Sequence, residues 1–240
     1  MCGIVGIFLK TKKFEKNLGK MLSGMLNNME SRGPDSAGFA IYKDENKKIY
    51  KFSLCINNLN FNQFKKEISK KIKKPSLNQV SDHVILKTSE KPKKVIEIIN
   101  SSFPSVSVVG YGRSIEIFKQ IGNPKDVVKK FKLNNFSGTH GIGHTRMATE
   151  SAITTDGSHP YSTGEDECLV HNGSLSNHNN LRRELVKKGN IFNSQNDTEV
   201  AAGYISNSLS NNKSLKDTLT SGLKDLDGFY TFITGTRKGF

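Results

Sequence analysis

The 240-residue chain has no tryptophan and only three cysteines, Cys2, Cys55 and Cys168, odd in number and unevenly spaced. That usage suggests neither a disulfide framework nor a cysteine-rich zinc site, and it fits a reducing cytoplasm. No apolar stretch approaches the roughly 18 residues of a membrane span. Nor does the N-terminus carry a basic patch followed by a signal-length apolar run. A soluble, unexported, cytoplasmic protein with no membrane role is therefore expected. His140, His144, His159, His171 and His178 show no helical i, i+4 pairing and no acidic residue at ligand spacing, so neither a metal nor any other cofactor is expected. Acidic residues are also scarce, with 22 Asp and Glu against 36 Lys and Arg, a net charge of +14. Such an excess raises the question of nucleic acid. Most of it, however, is lysine between positions 10 and 133, in helical runs without interleaved aromatics to stack on bases. A solvated basic surface is the expectation, with no nucleic-acid partner.

Apolar residues make up 35% of the chain, enough for one large domain with a core, or for a domain carrying an insertion. Residues 2 to 9 read as a central strand, and Phe14 to Met29 as an amphipathic helix. The dense turn Ser31-Arg32-Gly33-Pro34-Asp35-Ser36-Ala37-Gly38 follows, then a strand over Phe39 to Tyr42. From 43 to 105 the sequence is lysine-rich and poor in motifs, and its helix, strand and helix pattern predicts a small α+β insertion. Strands are predicted at Val106 to Val109, Ser114 to Lys119 and Phe229 to Thr234, in Gly141 to Thr149, where the strand runs into a polar loop, and in Cys168 to Ser174, where it ends in Asn-Gly. Helices are predicted at Pro124 to Phe131, Asn177 to Lys188, from Asp197 onward with Asp or Thr as cap, and over Lys213 to Leu223.

Cys2 stands directly behind Met1. Removal of Met1, which so small a neighbour permits, would place a thiol and a free α-amine on one residue, a nucleophile with its own base. A buried apolar cysteine that happens to be second is the other reading of this stretch alone. Arg146, in a glycine-flanked and otherwise uncharged stretch, offers a planar fork suited to a carboxylate, and Thr149 adds a hydroxyl. An internal ion pair is the lesser reading of Arg146. The Asn172 amide and the Gly173 N–H could face one developing oxyanion, or Asn172-Gly173 could be a plain hairpin turn. Asp197 could cap a helix or bind an ammonium group, and Arg32 and Asp35 sit where a loop could shape a pocket.

The order of these fragments is more specific than any one of them. Cys follows Met1, Arg-Gly-Pro-Asp-Ser-Ala-Gly begins at 32, Gly-His-Thr-Arg-x-Ala-Thr at 143, His-Asn-Gly at 171 and Asp-Thr-Glu-Val at 197. The chain resembles the glutaminase domain of the N-terminal-nucleophile (class II) glutamine amidotransferases over about three quarters of its length. The resemblance implies an α+β, four-layer αββα N-terminal nucleophile hydrolase fold with mostly antiparallel sheets. One domain over 2–240 would carry the lysine-rich insertion at 43–105. It also implies an enzyme in which Cys2 attacks the side-chain amide of L-glutamine, giving a thioester, ammonia and then glutamate. Asn172 and Gly173 would stabilise the oxyanion, Arg146 would hold the α-carboxylate and Asp197 the α-amine, with Arg32, Thr149 and Ser174 completing the pocket.

Within that group, Arg146-Met147-Ala148-Thr149-Glu150-Ser151 departs from the sugar-phosphate synthases. With Leu175 to Arg183 it looks more like the stand-alone amidotransferase subunit of glutamate synthase or N-methylglutamate synthase systems. A separate synthase subunit receiving ammonia, in a hetero-oligomer, is the implied partner. The chain ends on an apparent strand where the family continues, which suggests a truncated C-terminus. Two alternatives stay open: an N-terminal nucleophile amidohydrolase acting on another amide, and a non-catalytic regulatory relative.

Overall fold

In strand β2 (Ser36–Tyr42) every residue is buried, and the alternation of its side chains explains the layering. Phe39 and Ile41 face one way, into a core with Leu18, Leu22 and Leu26 of helix α1 (Leu18–Asn28). Ala40 and Tyr42 face the other way, packing with Cys168 of a second sheet. A strand with an apolar pattern on both faces must lie between two layers. The computed structural model describes residues 2–57, 59–149 and 151–240. Met1, whose removal the Cys2 mechanism requires, and Glu150 of the Arg146–Ser151 stretch lie outside the described residues.

The remaining elements follow in chain order after β1 (Gly3–Phe8), α1 and β2. They are β3 (Tyr50–Cys55), α2 (Phe61–Lys71), β4 (Ser76–Val80), β5 (His83–Thr88), α3 (Pro92–Ser102), β6 (Ser107–Gly112), β7 (Ile115–Ile121) and α4 (Pro124–Lys130). The second half holds β8 (His140–Arg146), β9 (Tyr161–Gly164), β10 (Glu167–Leu175), α5 (His178–Lys187), α6 (Asp197–Ser210), α7 (Leu215–Asp225) and β11 (Gly228–Gly235). The first sheet has the order β1-β8-β2-β7 and the second β11-β10-β9. Helices α1 and α4 cover the outer side of the first, through Leu18, Leu22, Val127 and Val128. The outer side of the second is covered by α6, where Leu169 packs on Ala201, Ala202 and Ile205. Helix, sheet, sheet, helix is the αββα order, and the strand pairs within these sheets are antiparallel.

The segment between β2 and β7 forms a third antiparallel sheet, β4-β5-β3-β6, with α2 and α3 on its own core of Phe52, Leu54, Phe64, Ile68, Val84, Leu86, Val95 and Ile99. Its fourth strand, β6, lies beyond the 43–105 bounds drawn from composition. Glu116 of β7 ties it to the main body, with one carboxylate oxygen 2.8 Å from Lys43 Nζ and the other 3.3 Å from Lys51 Nζ.

Three local expectations are corrected. Strand β2 starts at Ser36 rather than Phe39, because the turn-prone Ser36-Ala37-Gly38 is paired on both sides, to β8 and to β7. Asn172-Gly173 is not a hairpin turn but runs within β10, opposite Thr231 and Tyr230 of β11. Helix α6 is capped by neither Asp197 nor Thr198. Asn196 is the cap, its side-chain oxygen accepting from Thr198 N at 2.8 Å.

Candidate active site

The antiparallel register sets Gly3 opposite Thr145. Cys2, just before β1, and Arg146, at the end of β8, are therefore neighbours at one edge of the first sheet. The loop at 32–35 closes on this edge. A Cβ at Gly33 would lie 2.4 Å from the Thr145 carbonyl carbon and 2.5 Å from Arg146 N, so only glycine allows the approach. Asp35 then holds the exit of β8 from both sides. Its N–H donates to Arg146 O at 3.1 Å, and its carboxylate accepts from Ala148 N at 2.7 Å.

The second sheet and α6 bring the opposite wall. Cys2, Arg146, Thr149, Gly173, Ser174 and Asp197 line one cavity of about 210 Å³. Two expected residues do not line it. Arg32 is exposed at the start of its loop, and Asn172 is half-buried between His171 and Gly173, both of which do line the cavity.

The Cys2 thiol is partly exposed, its sulfur 3.9 Å from the carbonyl oxygen of Met147. Arg146 is only 4% exposed. Its guanidinium has no acidic partner among the described residues. It donates instead to Ser151 Oγ at 2.6 Å, Ser151 O at 3.4 Å and Ala152 O at 3.2 Å, all in its own following loop. Among the described residues this buried guanidinium is held by neutral oxygens, an arrangement suited to taking an anion. Opposite it, Asp197 accepts from Leu175 N at 2.9 Å and from Thr198 Oγ1 at 3.3 Å. One cavity is thus lined by a thiol, a cationic group and an anionic group.

Sequence reasoning missed what lies behind that anionic group. His144 and His159 stack with ring centroids 3.9 Å apart, and the His144 Nε2–H donates to the His171 carbonyl at 2.8 Å. His159 Nε2 and His171 Nδ1 both reach Thr198 Oγ1, at 2.9 and 2.7 Å. Burial lowers the pKa of all three imidazoles, that of His144 to about 3. They are neutral at physiological pH. No signal in the sequence joins His159 to Thr198, because a loop and three elements separate them. His171 and Thr198 each sat inside a recognised motif, next to Asn172 and Asp197.

Among the described residues, one group could gather donor atoms around a metal. Cys55, Asp82 and His83, in the third sheet, offer ligand atoms within 4.8 Å of one another. Lys130 is 3.0 Å from the Asp82 carboxylate and Gln120 also donates to it, while burial pushes the Cys55 thiol up to about 11. A cation there would have to displace an ammonium and deprotonate a resistant thiol.

The model of the glutamine amidotransferase domain family matches residues 133–233, the stretch from just before β8 into β11. The glutamine amidotransferase-like protein GlxB of Rhizobium meliloti (strain 1021) is 48% identical over 243 residues, covering all of this chain and 81% of its own length. The chain belongs to the glutamine amidotransferase family. A protein of Methanothermobacter thermautotrophicus described as a glutamine amidotransferase is 32% identical over the whole chain and 83% of its own length. The glutamine–fructose-6-phosphate aminotransferase of Idiomarina loihiensis is 34% identical over 125 residues, 52% of this chain and 20% of that enzyme. Among solved structures, the glutamine phosphoribosylpyrophosphate amidotransferase of B. subtilis superposes with a TM-score of 0.59 at 19% identity. It covers 99% of this chain, which spans 35% of that enzyme. The chain has the N-terminal nucleophile hydrolase fold of that solved structure.

Proposed function

We propose that the chain is the glutaminase subunit of a two-component amidotransferase, hydrolysing the side-chain amide of L-glutamine through Cys2. One observation carries this reading: a thiol, a buried guanidinium without an acidic partner among the described residues and a carboxylate line a single cavity of about 210 Å³. Free glutamine has a carboxylate and an ammonium on one carbon, with its amide three bonds away along the side chain. Its carboxylate would replace Ser151 and Ala152 on Arg146, and its ammonium would sit on Asp197. Thr149 and Ser174 would line the path between them, with Arg32 supporting the loop from outside.

With Met1 removed, the α-amine of Cys2 takes the thiol proton and the thiolate sulfur attacks the amide carbon. The carbonyl oxygen becomes an oxyanion, which the Gly173 N–H and the Asn172 amide stabilise. Collapse, with the proton held by the Cys2 α-amine passing to the leaving nitrogen, expels ammonia and leaves a γ-glutamyl thioester, and water then releases glutamate and restores the thiol. The ammonia acceptor would be held by a separate subunit of glutamate synthase or N-methylglutamate synthase type, in a cytoplasmic hetero-oligomer. The test is glutamate release from glutamine by the purified chain, alone and with a co-purified synthase subunit and its acceptor. Release that rises with the partner and is abolished by Cys2→Ala is expected. Activity that survives Cys2→Ala would contradict the reading.

A further inference from the structure

The Thr198 hydroxyl is a junction. It is one residue past Asp197, and Thr198 is 1% exposed. Its oxygen lies 2.7 Å from His171 Nδ1, 2.9 Å from His159 Nε2 and 3.3 Å from Asp197 Oδ1. A hydroxyl has one hydrogen and two lone pairs. Only one arrangement satisfies all three contacts together: both neutral imidazoles donate N–H to Thr198, and Thr198 donates its own hydrogen to Asp197. If the hydroxyl turned its hydrogen toward either histidine, its lone pair would face the carboxylate, which the contact with Asp197 disfavours.

The assignment extends outward. His171 then carries its hydrogen on Nδ1 and His159 on Nε2, and the other ring nitrogens, His171 Nε2 and His159 Nδ1, are buried lone pairs without partners. His144 stacks on His159 and donates to the His171 carbonyl, holding both rings in place. Thr198 itself is held by its backbone N–H, bonded to Asn196. Asp197 thus has one oxygen fixed by Leu175 N and the other by Thr198. Asp197 lines the cavity, and His171 Nδ1 lies 3.7 Å from the oxygen that Thr198 contacts.

We propose that Thr198, oriented by His159 and His171, is a positioning residue that sets the Asp197 carboxylate to receive the substrate's α-ammonium and so selects amides that carry a free α-amine. This rests on the glutaminase reading above. Thr198 lines the same cavity as Cys2, but its hydroxyl contacts Asp197 and the two imidazoles and not the thiol, so its loss should act on substrate binding and not on the thioester chemistry.

The experiment compares glutamine with 4-carbamoylbutanoate, the same molecule without its amino group, as substrates for the full chain with its synthase partner. Wild type, Thr198→Val and Thr198→Ser are measured. For Thr198→Val the expected result is a KM for glutamine raised about tenfold or more, with kcat nearly unchanged. Its kcat/KM for the des-amino analogue should not change, so the preference for glutamine shrinks by the same factor. Thr198→Ser, which keeps the hydroxyl, should restore the preference. Should the valine variant not fold, Thr198→Ala carries the same comparison. An equal loss on both substrates, a loss confined to kcat, or no rescue by serine would overturn the inference while leaving glutamine hydrolysis standing. Wild type that hydrolyses neither amide would overturn the glutaminase reading and this inference with it.

Discussion

Cys2 differs from the other two cysteines in its surroundings more than in its chemistry. Cys55 and Cys168 are buried, burial pushes both thiols up to about 11, and Cys168 Sγ lies 3.4 Å from the Tyr42 hydroxyl. Neither forms appreciable thiolate near neutral pH. Arg146 and Asn172 separate binding from chemistry at the same scale. Arg146→Lys should raise the KM for glutamine far more than it lowers kcat, since a point charge cannot replace a two-pronged contact with a carboxylate. Asn172→Ala should do the reverse, lowering kcat about 10²–10³-fold with KM nearly unchanged. Steady-state glutamate release by the two variants checks both. Near-wild-type turnover in Asn172→Ala would remove that residue from the oxyanion hole. The residues legible in the sequence are those whose chemistry is unusual for their setting: a cysteine at position 2, and an arginine among glycines. Thr198 and His159 carry no such mark, because a buried threonine and a buried histidine are ordinary until their contacts are known.

At the scale of elements, periodicity located most helices and strands, and the differences fall where tertiary pairing overrides local preference. Ser36-Ala37-Gly38 has turn composition yet forms strand, since β8 and β7 supply partners on both sides. Asn172-Gly173 is a strong turn dipeptide, yet β11 pairs straight through it, with Gly173 at φ 140. A Cβ there would fall 2.1 Å from the Phe229 carbonyl oxygen. Helix α6 begins at Asp197, as expected, but its cap is Asn196 rather than Asp197 or Thr198. Asn196 caps the helix and also donates to Gly157 O at 3.2 Å, which leaves the Asp197 carboxylate free to face the cavity. Asn196→Ala should therefore cost about 0.5–2 kcal/mol of stability by loss of the cap. It should also raise the KM for glutamine, because the first turn of α6 carries Asp197. Urea unfolding and glutamine kinetics on one preparation check this. An unchanged KM with reduced stability would confine Asn196 to capping.

For the whole molecule, the lysine excess and the buried histidines make different demands. Lys43 and Lys51 fasten the third sheet to β7 through Glu116, whose carboxyl is held below the usual range by those two ammonium groups against the opposing cost of burial. The histidines set the acid limit. His144, His159 and His171 have folded-state pKa values below their ordinary 6.5, so the unfolded chain binds more protons than the folded one as pH falls through that value. Their contribution is complete above about pH 6.5 and is lost progressively below it, with a slope of about 1.4 kcal/mol per pH unit for each histidine that must charge on unfolding. Stability by urea unfolding should fall steeply between about pH 6.5 and 5, before the carboxylates titrate. A flat profile over that range would mean that these rings are hydrated in the folded chain.

The most direct measurement for the account as a whole is covalent trapping of the nucleophile, which does not depend on the synthase partner. A glutamine analogue with a diazoketone in place of the amide would be incubated with the purified chain and the product read by intact mass and peptide mapping. The account predicts a chain beginning at Cys2, carrying one adduct on the Cys2 sulfur, with none in Cys2→Ala and protection by glutamine. An adduct on Cys55 or Cys168, or stoichiometric labelling of a chain that still carries Met1, would contradict it.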